Sequence, residues 1–254
     1  MQNKEKLRYE EIGNWDFSDI KYITKRKTNW DLYEQIKKYT KNNSLILDLG
    51  TGGGEKALKY LPDEATIIGT DFSPKMIETA NKNKEKYPNK KIKFCTMDNH
   101  NLSFPNNLFD IVVARHTSID AKQIYNVLNK NGILFVEGVD KKDCLNLKET
   151  FKRGQAYNDK ISISKIDYEN IKKAGFKEVD FTEIIEYEYY KTKEDLIALL
   201  LKTPILDDFS ELHNNSNTHL NEIDEKLLDI YINENTTKDG IKLERVLYGI
   251  IAKK

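Results

Sequence analysis

From residue 31 to residue 139, short apolar runs alternate with amphipathic stretches. Asp31–Tyr39 puts Leu32, Ile36 and Tyr39 near one face and predicts a helix. Ser44–Leu49 is almost continuously apolar and predicts a strand buried on both faces. Glu55–Tyr60 opens the next helix, and Thr66–Thr70 is a second apolar run closed by Asp71. Ser73 stands at an N-cap position with Pro74 at the first helical one, ahead of a helix that continues through Lys86. Ile92–Cys95, Phe109–Ala114 and Ile133–Val139 follow as strands, with a helix over Ala121–Leu128. Such alternation predicts an α/β fold: a parallel sheet with helices on both faces.

The C-terminal half is less regular. Ile166–Ala174 reads as a helix closed by Gly175, Val179–Tyr189 as a long β-prone run, and Val246–Ala252 as a final strand. About 50 residues separate the last two strands, too many for a hairpin connection. Two amphipathic helices, Lys193–Leu201 and Ile223–Tyr231, lie between them. The expected organisation is an N-terminal helical lid segment (1–43), an α/β ligand-binding domain (44–191), an inserted helical cap (192–240) and a final sheet strand (241–254). A surface embellishment or a dimer contact is the alternative for 192–240. Tyr9, Trp15 and Phe17 in the first segment suit an apolar or aromatic small-molecule pocket, or simple packing.

Composition narrows the class. A chain of 254 residues can bury a substantial core. No run of 18 apolar residues is present, so no membrane span is expected. The start, Met1–Lys6, lacks the apolar centre of a signal peptide. Two cysteines, Cys95 and Cys144, suit a reducing cytoplasm, and a monomer or homodimer is expected. Formal net charge is zero and only five of the 41 basic residues are arginine, so no nucleic-acid partner is expected. His213 and His219 lie in an Asn-rich stretch without a nearby cysteine and read as surface residues, so no metal is expected.

The chemistry starts at Leu45–Gly54, an apolar strand that runs into Gly50-Thr51-Gly52-Gly53-Gly54. Glycines let backbone N–H groups approach a ligand, and Asp71 at the end of the next strand can accept both hydroxyls of a ribose. The dinucleotide fingerprint needs a third glycine at position 55, where Glu55 would repel a pyrophosphate. The loop also lacks the Gly-Lys-Ser/Thr ending of a P-loop. The preferred ligand therefore carries a ribose and no phosphate, as S-adenosylmethionine does. Asp48, before the loop, suits its cationic character.

At these residues the chain resembles the class I S-adenosylmethionine-dependent methyltransferases. Leu47–Gly54 is similar to the family's first motif and Gly69–Met76 to the second. Met97-Asp98-Asn99, Leu102–Pro105, Phe109–Val113 and Val127–Leu134 continue the resemblance in order, with Asn131 where Pro or Gly is commoner. The nearest flavour is the ubiquinone/menaquinone-biosynthesis-like (type 11) group, which holds many bacterial enzymes. The resemblance implies a Rossmann-like, doubly wound, mostly parallel seven-stranded sheet with an antiparallel edge strand.

It also implies roles. Gly50, Thr51, Gly52 and Gly54 would line the methionine part of the cofactor, with Asp48 ordering the loop around its ammonium. Asp71 would take the ribose, Phe72 and Met76 would pack on the adenine, and Asp98 with Asn99 would meet the adenine amino group. Arg115 follows the fourth strand where the backbone meets the cofactor; its side chain would pair with a substrate carboxylate or form an internal ion pair. His116 is the candidate general base. Glu137 and Asp140 are lesser candidates at the end of the fifth strand. Ala114–Thr117 lacks the motif of exocyclic-amine methyltransferases. The expected function is methyl transfer to a small-molecule acceptor by in-line displacement. An RNA methyltransferase and a non-catalytic nucleoside-binding protein are the alternatives, and a nicotinamide reductase is a distant third.

Overall fold

The computed structural model describes residues 19–206 and 222–254. In chain order the elements are β1 (Tyr22–Arg26), α1 (Leu32–Tyr39), β2 (Leu45–Leu49), α2 (Glu55–Tyr60), β3 (Thr66–Asp71), α3 (Pro74–Lys84), β4 (Ile92–Thr96), β5 (Phe109–Arg115) and α4 (Ala121–Val127). They continue with β6 (Leu128–Val139), α5 (Leu145–Phe151), α6 (Ile163–Ala174), β7 (Glu178–Tyr190), α7 (Lys193–Lys202), α8 (Glu222–Asn235), β8 (Thr236–Thr237) and β9 (Gly240–Lys253). Local signals set the helix ends. The Asp31 carboxylate accepts from the N–H groups of Tyr33 and Glu34, Ser73 caps Met76 ahead of Pro74, and Gly175 closes α6 at φ +109°.

The sheet runs β1-β7-β9-β6-β5-β2-β3-β4. β4, β3, β2, β5 and β6 are parallel, and β9 joins them antiparallel to β6. β7 then pairs antiparallel with β9, and β1 with β7. The Rossmann-like α/β class holds. The described sheet has nine strands where seven were expected, because β1 and the two-residue β8 extend it. Part of the segment expected as a helical lid, Tyr22–Arg26, is this edge strand. Its β-prone Tyr-Ile-Thr run finds an open strand edge along Glu186–Tyr190.

Two cores flank the sheet. One face packs Leu47, Leu49, Val112, Leu134 and Ile250 against Ala121 and Ile124 of α4 and Ile171 of α6. The other packs Ile46, Ile67, Ile111, Val113 and Phe135 against Leu32 and Ile36 of α1 and Leu58 of α2. With both faces covered, the central strands are buried at nearly every position, which is why they are apolar throughout.

β7 and β9 outrun the rest of the sheet. The last β6 pair is Val139↔Leu247, and β7 and β9 then stay paired from Ile185↔Val246 to Tyr190↔Ile241. Those further residues reach about 20 Å past the C-terminal ends of the parallel strands at ~3.3 Å per residue. The overhang carries the inserted helices. Leu196, Leu199 and Leu200 of α7 and Leu228 and Tyr231 of α8 pack with Leu147 and Phe151 of α5, Tyr190 and Leu243 in a third core. Among the described residues no helix is long and apolar enough to cross a membrane.

A buried ionic group fastens the overhang to the turn after β6. Arg245 of β9 donates from Nε and Nη2 to the two Asp143 oxygens (2.9 and 3.2 Å) and from Nη1 to Glu188 of β7 (3.2 Å). The Tyr190 hydroxyl donates to the same Glu188. Removing the guanidinium strands two buried carboxylates. Arg245→Ala is expected to cost about 3–5 kcal/mol, measured by equilibrium urea unfolding; a loss below about 1 kcal/mol would show that the group is not a fastening.

Candidate functional site

The parallel strands end together on the side of the overhang, and the loop after β2 opens there. Gly50, Gly52 and Gly54 all have left-handed backbone, at φ +63°, +56° and +76°. Two of them are also fixed by close approach inside the protein. A Cβ on Gly50 would lie 2.5 Å from Thr117 Oγ1, and one on Gly54 would lie 2.7 Å from Phe94 Cζ. The loop is tied down at Gly53, whose carbonyl accepts from Asn83 Nδ2 (2.9 Å). The same amide donates to Glu55 at 3.2 Å, which holds that carboxylate beside the loop.

Asp71, the last residue of β3, is buried and faces the loop. Its Oδ2 accepts from Gly52 N–H (3.0 Å) and its Oδ1 from Ser73 N–H (2.9 Å). A carboxylate oxygen has room for a second hydrogen bond, so each retains capacity for a ligand hydroxyl. Burial pushes its pKa up, while the two N–H groups pull it back. Asp48 is the second buried acid. Burial raises it to about 6, helped by the charge of Asp71 and opposed by the nearby Thr51 hydroxyl and Arg115. Thr51 Oγ1 is buried beside Asp48 yet completes no well-formed hydrogen bond.

The remaining predicted residues divide. Asp98 is exposed, with one oxygen used by His100 N–H (2.8 Å). Asn99 is buried, and its amide nitrogen donates to Thr117 Oγ1 (3.0 Å) and the Ser118 carbonyl (3.1 Å). Its side chain thus braces the loop after β5 against the loop after β4. Met76 is completely buried and presents no open surface. Phe72 is half-buried after Asp71. Arg115 forms the internal ion pair of its two alternatives, with Nε 2.9 Å from Glu137 Oε1. Asp140 is spent elsewhere: it accepts from Lys142 N–H (3.0 Å) and from the Ser164 hydroxyl. It lines a surface groove of about 530 Å³ with Lys160, Lys165, Phe181 and Tyr248.

His116 follows β5 with left-handed backbone at φ +52°. Its N–H donates to the Glu137 carbonyl (2.8 Å), and its Nε2 lies 3.5 Å from Glu137 Oε1. About a third of its side chain (31%) stays open to solvent. The surrounding protein, then Arg115, Arg245 and Lys56, hold its pKa well below the usual histidine value. Tyr9, Trp15, Phe17, His213 and His219 lie outside the described residues. Among the described residues no group of three or more His, Cys, Asp or Glu side chains could hold a metal.

Residues 46–132 match the family model described as a methyltransferase domain. An uncharacterised methyltransferase of Bacillus subtilis, YcgJ, is 30% identical over 73 residues, which are 29% of this chain and 29% of that protein. The stretch that carries the glycine loop is thus similar to a methyltransferase domain. Solved structures agree on the fold. The YcgJ structure has a TM-score of 0.56 at 14% identity, over 88% of this chain and 97% of that one. A putative methyltransferase from Bacillus halodurans has a TM-score of 0.57 at 15% identity, over 88% and 98%. The [4+2]-cyclase SpnF has 0.56 at 16% identity, over 88% and 80%. A cyclase among these neighbours shows that the fold alone does not set the reaction.

The residues around the loop fit S-adenosylmethionine on their own features. Two buried carboxylates and an unsatisfied Thr51 hydroxyl surround a loop whose backbone is exposed by glycine. Sequence reasoning missed Thr117, Phe94 and Asn83, which shape that loop from elsewhere in the chain. No spacing marks them, because each touches the loop only after the sheet has formed.

The buried Asp48 has a stability consequence. Folding raises its pKa from 3.8 to about 6, so between those values the folded chain binds the proton more tightly than the unfolded one. Rising pH through that window therefore removes stability. Asp48→Asn is expected to be more stable than wild type at pH 7 by on the order of 1–3 kcal/mol, with the gain gone at pH 4. Thermal melts at the two pH values check this. Asp167, also raised to about 6 by burial, leaves a residual slope in both proteins.

Proposed function

We propose that the protein transfers the methyl group of S-adenosylmethionine to a small-molecule acceptor by in-line displacement. The observation that carries the reading is the placement of Asp71, a buried carboxylate braced by Gly52 and Ser73, opposite the glycine loop and beside Asp48. Asp71 would hold the ribose; Asp48, Thr51 and the backbone of Gly50, Gly52 and Gly54 would hold the methionine part. The exposed Asp98 and the half-buried Phe72 would meet the adenine.

When bound, the sulfonium supplies an already activated methyl group. The protein's own work is to align the acceptor with it and exclude water. The overhang of β7 and β9 with α5, α7 and α8 stands on the side where the parallel strands end, and serves as the cap. A small acceptor suits the site's charges. Arg115 is paired with Glu137, Arg26 with Asp31 and Glu186, and Arg245 with Asp143 and Glu188. These cations are neutralised within the protein, whereas a polynucleotide backbone needs free ones.

Calorimetric titration with S-adenosylhomocysteine tests the reading. Wild type is expected to bind, and Asp71→Asn to bind about 10- to 100-fold more weakly, from loss of charge-assisted hydrogen bonds of roughly 1.5–3 kcal/mol. Asparagine keeps the side-chain shape but only one acceptor oxygen, so it retains one of the two hydrogen bonds to Gly52 and Ser73. No binding by wild type, or equal affinity in the variant, would overturn the proposal.

A further inference from the structure

We infer that His116 is the base that takes a proton from the methyl acceptor, with Glu137 as its positioning residue. The acceptor is then a hydroxyl or a protonated amine, a nucleophile that must lose a proton, and not a thioether or a tertiary amine. This rests on the methyl-transfer reading of the same site.

Three observations converge. First, His116 is placed at the C-terminal tip of β5, where open α/β sheets bind their ligands. Its backbone is left-handed at φ +52°, a region that histidine, asparagine and aspartate enter more readily than other non-glycine residues. The hydrogen bond from its N–H to the Glu137 carbonyl holds that turn against β6. Second, Glu137 Oε1 lies 3.5 Å from Nε2. A carboxylate there favours the tautomer with its proton on Nε2 and leaves the Nδ1 lone pair bare. Glu137 is in turn oriented by Arg115 Nε at 2.9 Å. Third, about a third of the His116 side chain remains accessible while Glu137 is almost enclosed, so of the two groups it is the imidazole that a ligand can reach.

The charged groups around the ring come from four elements: Arg115 on β5, Glu137 on β6, Arg245 on β9 and Lys56 on α2. The surrounding protein, then the three cations, shift the imidazole pKa below the usual histidine value, which favours the neutral form a base requires. Glu137 supplies the counter-charge once the proton arrives. In the step itself, the acceptor's oxygen or nitrogen gives its proton to His116 Nδ1. Its lone pair forms the bond to the methyl carbon, and the carbon–sulfur bond breaks with its electron pair on sulfur.

The test uses the full-length protein labelled with ¹⁵N-histidine. Long-range ¹H–¹⁵N spectra read the tautomer and charge of each imidazole, and His116→Asn, which tolerates the left-handed backbone, assigns the signal. The expected result is a neutral His116 at pH 7 with its proton on Nε2, and loss of that tautomer preference in Glu137→Gln. A charged imidazole at pH 7, a proton on Nδ1, or an unchanged tautomer in Glu137→Gln would overturn the inference. His116→Asn should bind S-adenosylhomocysteine within about threefold of wild type. A tenfold loss would make His116 a cofactor ligand and sink its role as base. Failure of wild type to bind that ligand would remove the methyl-transfer reading itself, a different result from an altered tautomer with binding intact.

Discussion

Two hydrogen bonds hold the site in shape: those that the Asp71 carboxylate accepts from Gly52 and Ser73. They join the exits of β2 and β3, which are neighbouring parallel strands. Through Gly52 they fix the loop, and through Ser73 they fix the start of α3. The glycine loop has no side chains of its own with which to hold a conformation. Its shape comes from Asp71, from Asn83 at Gly53, and from Thr117 and Phe94 pressed against Gly50 and Gly54. Three left-handed glycines let those contacts close without strain.

The arrangement carries a cost. Asp48 and Asp71 are both withdrawn from water near one loop, and burial opposes their charge. A protein selected only for stability would place amides there. The free-energy penalty is understandable if a cation completes the site, as the ammonium and sulfonium of the proposed ligand would. Function and stability then pull in opposite directions at Asp48, a pattern common at binding sites.

Paired charges tie together the strands from β5 to β1. Arg115 with Glu137, Arg26 with Asp31 and Glu186, and Arg245 with Asp143 and Glu188 join β5, β6, β1, α1, β7 and β9. Tyr22 of β1 stacks on Tyr190 of β7, with ring centroids 5.3 Å apart, at the base of the inserted helices. The edge strand therefore belongs to the structure that supports the inserted helices.

What could be read from the chain alone was whatever depends on near neighbours. Apolar runs, the Asp31 and Ser73 caps, the Gly175 stop, the glycine loop and the acid that closes β3 each carry their signal within a few residues. The insertion between the last strands was legible from its length. Tertiary structure decided the rest. That Tyr22–Arg26 is a strand follows from the free edge of β7, more than 150 residues away. Arg115 is paired internally because Glu137 is its register partner on the adjacent strand, and Arg245 meets Asp143 across 102 residues. Asn99 braces Thr117, and Met76 lies wholly in the core, because sheet packing places them there. Backbone preferences act over a turn or two, whereas a side chain's partner is set by which strands lie side by side, and no residue spacing encodes that.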